Sequence, residues 1–384
     1  MGAEKRHVNS YRFLWRALNR ALSNIFRFEA EPAEVPPTPY LVVANHNLNL
    51  DPALVALSFP EHMYFVASEH VFRKGFASWV LRRYFAPISR IKGATDAQAA
   101  LDIIRALRRG HNVCLFAEGN RSFSGVTGPV FPATGKLAKI SGAPLITYRM
   151  TGGYLTKPRW GFNRRKGKMT GRCVNVYMPE QLKAMTAEEV NAHIAEDLYE
   201  DAFARQEEEH IPYRGKDLAA GLETAFFLCP KCHRVGTMRS LGDRYSCTCG
   251  FSVRYNEYGF FEGTDGEAPP FKSTRDWDAW QIEQLEAQRE KRDMAFSDPN
   301  TQLMAINKRH RMRPVDAGTL RMDGEALTLG STRLPLDNIS DMAVAAFSDI
   351  MLTADGQHYE IRSKDRYFCG RKYLMLYQIY TKKG

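Results

Sequence analysis

PYLVVANHNLNLDPALVAL, residues 39–57, sets an apolar run against a polar loop and then a second apolar segment that opens with Asp51-Pro52. The first part, PYLVVAN, carries no charge, as a short strand buried on both faces requires. Asp51 reads as a helix N-cap and Pro52 as the first helical residue, where its fixed φ suits the helix and its missing N–H is no loss. The same alternation runs outward. MYFVAS (63–68) is a strand, DAQAALDIIRALRRG (96–110) a helix with a glycine stop, and HNVCLFAEG (111–119) a strand that enters a glycine loop. GKLAKISG (135–142) is a helix and APLITYRM (143–150) another strand. Strands and helices in turn over residues 38–210 predict an α/β domain, with a mostly parallel central sheet flanked by helices. Such sheets place their sites where strands end.

Flanking segments differ in pattern. In residues 1–28, Tyr11, Leu14, Trp15, Leu18, Leu22, Ile25 and Phe26 share one helical face, with Arg12, Arg16, Asn19, Ser23 and Arg27 opposite. Six Lys or Arg stand against one Glu there. A basic amphipathic helix suits a membrane interface, and packing on the domain behind it is the other reading of the same face. Residues 226–256 are Cys-rich and turn-rich, a small separate unit. Residues 257–310, with RDWDAWQIEQLEAQREKRD, read as a charged helical linker. From 311 to 384 come short strand signals, TLRM, ALTL, TRLPL, IMLT and HYEIR, with Asp-Gly turns at 323–324 and 355–356 and a closing helix, RKYLMLYQIYTKK. This end predicts a C-terminal α+β module reminiscent of pleckstrin-homology-like folds, which would bind lipid or a partner.

The chain has 384 residues, too many for one ordinary core. It is 44% hydrophobic and 25% charged, an ordinary globular composition for which disorder is not the default reading. Its net charge of +10 favours an anionic partner, whether nucleic acid, an anionic membrane or a phosphorylated substrate. No uncharged apolar stretch nears the ~20 residues that span a bilayer, and the N-terminus lacks a secretory pattern. The expected placement is cytoplasmic, peripheral on the inner face of the cell membrane. Lys157 to Arg172 holds seven Lys or Arg and no acid, with Trp160 and Phe162 among them, and reads as a lipid-facing stretch or a solvated hairpin tip.

Two strand-end motifs carry chemistry. Four residues separate His46 from Asp51, which lets a turn bring the carboxylate to the imidazole as a general-base pair. The same Asp51-Pro52 also suits any helix start. No G-x-S-x-G elbow exists in the chain, so direct transfer fits better than an acyl-enzyme. In Phe116-Ala117-Glu118-Gly119-Asn120-Arg121-Ser122, Gly119 allows close backbone approach, while Arg121 and Ser122 offer a guanidinium fork and a hydroxyl. Arg90, ending Pro87-Ile88-Ser89-Arg90, is a second cation able to clamp a phosphate monoester with Arg121. A surface ion pair between Glu118 and Arg121 is the blander alternative.

Together these stretches resemble the glycerol-phosphate acyltransferase superfamily, of the 1-acylglycerol-3-phosphate acyltransferase kind. Asn45, His46 and Asp51 match its N-H-x-x-x-x-D block. Pro87 to Arg90 match its second block, Phe116 to Ser122 its F-P-E-G-T-R-S block, and Ala143 to Ile146 its fourth. The four lie in order over about residues 40–180. The resemblance implies transfer of a fatty acyl group from acyl-CoA or acyl-carrier protein to a hydroxyl of a lysophospholipid or acylglycerol phosphate. His46 would be the base and Asp51 its orienter, with Arg90, Glu118, Gly119, Arg121 and Ser122 binding the acceptor. Leu48, Ala117 and Asn120 depart from the family pattern and are expected on the acceptor side.

Cys229, Cys232, Cys247 and Cys249 form two close pairs, and the chain's other three cysteines are scattered. The pairs resemble a zinc ribbon with a structural zinc, although the second has one intervening residue instead of two. His233 is an adjacent substitute ligand. Ribbons often bind nucleic acid, so a zinc-ribbon nucleic-acid-binding protein is one rival reading, and a non-catalytic lipid-binding scaffold another. No nucleic acid is expected, since nothing beyond charge supports it.

Overall fold

The structure is a computed structural model that describes residues 2–31, 34–59, 61–68, 87–90, 97–264, 266–307 and 311–381. The chain divides into two compact units. The first comprises Met1–Ile91, Asp96–Arg159 and Arg164–Gly215. Its strands are β1 (Phe28–Ala30), β2 (Leu41–Ala44), β3 (Met63–Ser68), β4 (Ile88–Arg90), β5 (Asn112–Phe116), β6 (Leu145–Thr151) and β7 (Met169–Tyr177), in the order β1-β7-β6-β2-β5-β3-β4. The pairing of β6 with β7 is antiparallel, and the other described pairs are parallel. The mostly parallel sheet expected from the alternation is therefore present.

β2 shows why helices cover both faces. Val42 and Ala44 join a core with Leu54, Phe59 and Tyr148. Leu41 and Val43, pointing the other way by the period of two, join Ile103, Leu107, Leu137 and Ile194. Helices Gly2–Phe26 and Asp51–Ser58 supply the first face, and helices Ala97–Arg108, Ala133–Ser141 and Ala187–Leu198 the second.

The N-terminal helix packs on its own unit. Tyr11 and Phe26 are buried and Leu22 packs beside them, while the Tyr11 hydroxyl donates to the carbonyls of Ala56 at 3.3 Å and Phe59 at 3.2 Å. Burial of these groups favours the packed reading at both ends of the described face. Ile25, expected on that face, is instead exposed, as is Phe13. The side chains of residues 14–18 lie outside the described set. No helix among the described residues is long and apolar enough to cross a membrane.

The second unit comprises Lys92–Thr95, Trp160–Asn163 and Lys216–Gly384. β8 (Met238–Leu241), β9 (Arg244–Cys247), β10 (Ser252–Tyr255) and β11 (Phe261–Gly263) form an antiparallel sheet in the order β11-β10-β9-β8. β12 (Phe296–Ile306), β13 (Met312–Met322), β14 (Ala326–Leu329), β15 (Thr332–Pro335), β16 (Ile339–Ala345), β17 (Asp349–Ala354) and β18 (Gln357–Ser363) form a second, ordered β15-β14-β13-β12-β18-β17-β16. Helix Gly370–Thr381 follows β18 and packs on β16 and β17, so the expected β-rich end with its closing helix is formed.

Two expectations change here. The stretch 257–310 is not a linker: β11, helix Thr274–Glu286 and β12 all fall within it. Trp277, fully buried, is ringed by Tyr245, Phe251, Phe261 and Phe271 with centroids 5.3–5.9 Å away. Its indole N–H donates to the Leu228 carbonyl at 3.2 Å. A single tryptophan among aromatic partners outweighs a charged outer face in placing this helix. Likewise Trp160 is not lipid-facing. It is fully buried, 5.5 Å from Tyr255 and 6.4 Å from Phe226. Arg164, from the same basic stretch, donates to the Ile25 carbonyl at 3.2 Å and lies over the Phe26 ring, closing the end of the first helix.

Candidate active site

β2 ends at Ala44, and the loop beyond it turns back on itself. Asp51 lies inside its helix, not at the cap position, which Leu50 occupies. Its carboxylate reaches backward instead. Asp51 Oδ2 accepts from the backbone N–H groups of Asn47 at 2.6 Å and Leu48 at 2.8 Å, and lies 2.8 Å from His46 Nδ1. Asp51 is fully buried, and the His46 side chain retains 22% exposure. Donation of Nδ1–H to the carboxylate would place the imidazole lone pair on Nε2. The Phe116 ring stacks on the imidazole with centroids 4.6 Å apart.

Further bonds hold this loop from outside. Asn45 donates from Nδ2 to the Met150 carbonyl and accepts from the Met150 N–H, both at 2.8 Å. Glu118 Oε1 accepts from the His46 N–H at 2.8 Å, and Oε2 accepts from the Gly128 N–H at 2.6 Å. Both carboxylate oxygens thus serve backbone groups, which makes Glu118 a brace between two loops. Burial pushes its carboxyl up to about 8, against the pull of those two N–H donors.

Gly119 adopts φ +65°, which L side chains rarely take up, and a Cβ there would press on the Phe131 ring. Ser122 Oγ accepts from the Gly125 N–H at 2.9 Å, closing a turn. Burial lowers the proton affinity of Arg121, with the charge of Asp51 acting the other way. Arg159 lies over the Phe123 ring at 3.9 Å and donates to the Arg121 carbonyl at 3.1 Å. Lys157 is pushed down to about 8 by burial and then by Arg121 and Arg165, so three cations share one region. The Arg90 side chain lies outside the described residues.

Leu48 and Ala117, expected on the acceptor side, are buried in the two cores instead. Their apolar side chains are better accommodated by packing than by a polar substrate. Asn47, Lys157 and Glu200 were not singled out from sequence as site residues. Lys157 had a signal in its basic run; Glu200 had none.

In the second unit, the Sγ atoms of Cys229, Cys232, Cys247 and Cys249 all lie within 4.8 Å of one another. Cys229–Cys249 and Cys232–Cys247 are each 3.7 Å apart. A tetrahedron with zinc–sulfur arms of ~2.3 Å has edges close to that length, so the four cysteines fit a metal ion. His233 is outside the group and packs on Trp280 at 5.5 Å. β9 brings Cys247 to the site, and the turn into β10 brings Cys249.

The His46–Asp51 contact thus sits at the end of a parallel strand of an α/β domain. Residues 27–151 match the family model described as Acyltransferase. This stretch is an acyltransferase-family domain, in accord with the resemblance to the glycerol-phosphate acyltransferase superfamily. Among solved structures, the 1-acyl-sn-glycerophosphate (LPA) acyltransferase PlsC from Thermotoga maritima is similar at 20% identity, over 48% of this chain and 77% of that one, with a TM-score of 0.42.

Proposed function

We propose that the protein is an O-acyltransferase that moves a fatty acyl group from acyl-CoA or acyl-carrier protein to the hydroxyl of a lysophospholipid or acylglycerol phosphate. The observation that carries this reading is the 2.8 Å approach of His46 Nδ1 to the buried Asp51 carboxylate within an acyltransferase-family domain. An alcohol is a weak nucleophile at neutral pH. His46 Nε2 takes its proton as the oxygen attacks the thioester carbonyl, and Asp51 stabilises the imidazolium, an effect of ~100- to 10,000-fold. The tetrahedral adduct then expels the thiolate, which recovers the proton from His46. Arg121, with Lys157 and Arg165 close by, supports an anionic acceptor.

The four cysteines would hold a structural zinc and supply no chemistry to this step. The net positive charge supports work at an anionic membrane surface, and the C-terminal module would bind lipid or a partner there. Incubation with acyl-CoA and a panel of lysolipids, read by mass spectrometry, is expected to yield acylated product. His46→Ala is expected to abolish it with thermal unfolding nearly unchanged. Turnover retained in that variant rejects the mechanism, and no product with any acceptor favours a lipid-binding scaffold.

A further inference from the structure

Glu200 lies 153 positions from Asn47 and beyond the stretch that matches the family. It follows helix Ala187–Leu198, and its side chain is 5% exposed. Its Oε2 accepts from Asn47 Nδ2 at 3.2 Å, and its Oε1 accepts from the Gly152 N–H at 2.9 Å. Arg205 Nε is 3.5 Å from the same Oε1. Its backbone is also pinned: the Glu200 N–H donates to Thr127 Oγ1, and the Thr127 N–H donates to the Glu200 carbonyl, both at 2.9 Å. A buried carboxylate is costly unless its lone pairs are met. Here they are met by Asn47, next to His46 in sequence, and by Gly152, whose neighbour Gly153 packs on Asn47.

Asn47 is the link. Its side chain bridges Glu200 and the Met150 carbonyl, while its backbone N–H makes the 2.6 Å bond to Asp51 Oδ2. Gly153, beside the Glu200-bound Gly152, approaches so closely that a Cβ would meet Asn47 Cβ at 2.6 Å. Moving the Asn47 side chain therefore moves one of the donors that orient the carboxylate facing His46.

We propose that Glu200 is a positioning residue for the His46–Asp51 pair, holding the loop through Asn47 so that the Asp51 carboxylate stays aimed at His46 Nδ1. This rests on the general-base reading above. Among the described residues, charged groups near the pair include Glu118 on the His46 N–H, Arg121, on which the charge of Asp51 acts, and Glu200 with Arg205 behind Asn47.

The test is Glu200→Gln, which keeps size and removes one acceptor. A misplacement near 1 Å costs about 100-fold in rate, so kcat is expected to fall by about 10- to 100-fold with little change in either KM. The base acts when neutral, and a facing carboxylate raises the imidazole pKa. Loosening the pair therefore moves the acidic limb of the kcat profile to lower pH, and the NMR titration of the His46 ring moves with it.

Asp197→Asn is the structural control. That buried carboxylate accepts from Thr147 Oγ1, Asn175 Nδ2 and the Tyr177 hydroxyl, away from the loop, and its loss should lower Tm and leave the limb in place. Asn47→Ala breaks the same link from the other end and must reproduce the shift, even if Glu200→Gln folds poorly. A wild-type limb and His46 titration in Glu200→Gln or Asn47→Ala overturn the proposal. Turnover retained in His46→Ala would instead overturn the general-base reading, so the two failures are distinct.

Discussion

At Glu118 two requirements pull against each other. Burial favours the neutral acid, and the two backbone N–H groups on its oxygens favour the anion. Burial is the larger effect, and the carboxyl is raised from its ordinary 4.5 to about 8. The folded state then holds a proton that the unfolded state has released, so stability should fall as pH rises from the ordinary value through about 8. Denaturant titrations across that window should show the slope in the wild type and lose it in Glu118→Gln. An equal slope in the variant would show that another group is responsible. The residue stood out in sequence as a member of the third block, but its work as a brace did not, because that work consists of backbone groups contributed by His46 and Gly128.

At the scale of elements, the cysteine sheet is the clearest case. β8 to β11 are strands of four, four, four and three residues. Strands so short gain from a cross-link, and a metal held by the four cysteines would tie two hairpin ends together. Purified protein should contain one zinc per chain. Chelation or Cys247→Ser should remove it and lower the thermal stability of the second unit. Protein without zinc and with undiminished stability would reject the metal. Spacing made the four cysteines legible despite the short second pair. Helix Thr274–Glu286 was legible as a helix and not as a core element: Ser273 caps it through the Asp276 N–H, a local signal, whereas Trp277 meets its partners only in the folded unit.

For the molecule as a whole, the net charge of +10 favours an anionic partner. Near an anionic surface each Lys or Arg is worth ~1 kcal/mol, and such binding weakens with salt. The protein should bind anionic vesicles more tightly than neutral ones, and more tightly than DNA or RNA at equal salt. Tighter binding to nucleic acid would revive the ribbon-based rival. The basic run from Lys157 to Arg172 would bring less apolar surface to such docking than its sequence suggested, because Trp160 is fully buried.

The sequence by itself determined the alternating elements of the first unit, the strand-end location of His46 and Asp51, the order of the four blocks and the cysteine pairs. Periodicity, turn chemistry and short spacing are local, and they act before any long-range contact forms. Only the tertiary structure decided what surrounds that loop: Asn45 on Met150, Glu118 under His46, Glu200 on Asn47, and Leu48 and Ala117 turned into the cores. Those partners stand 72 to 153 positions apart or on opposite faces of one sheet. Their meeting depends on how strands order and helices pack, which no local pattern encodes.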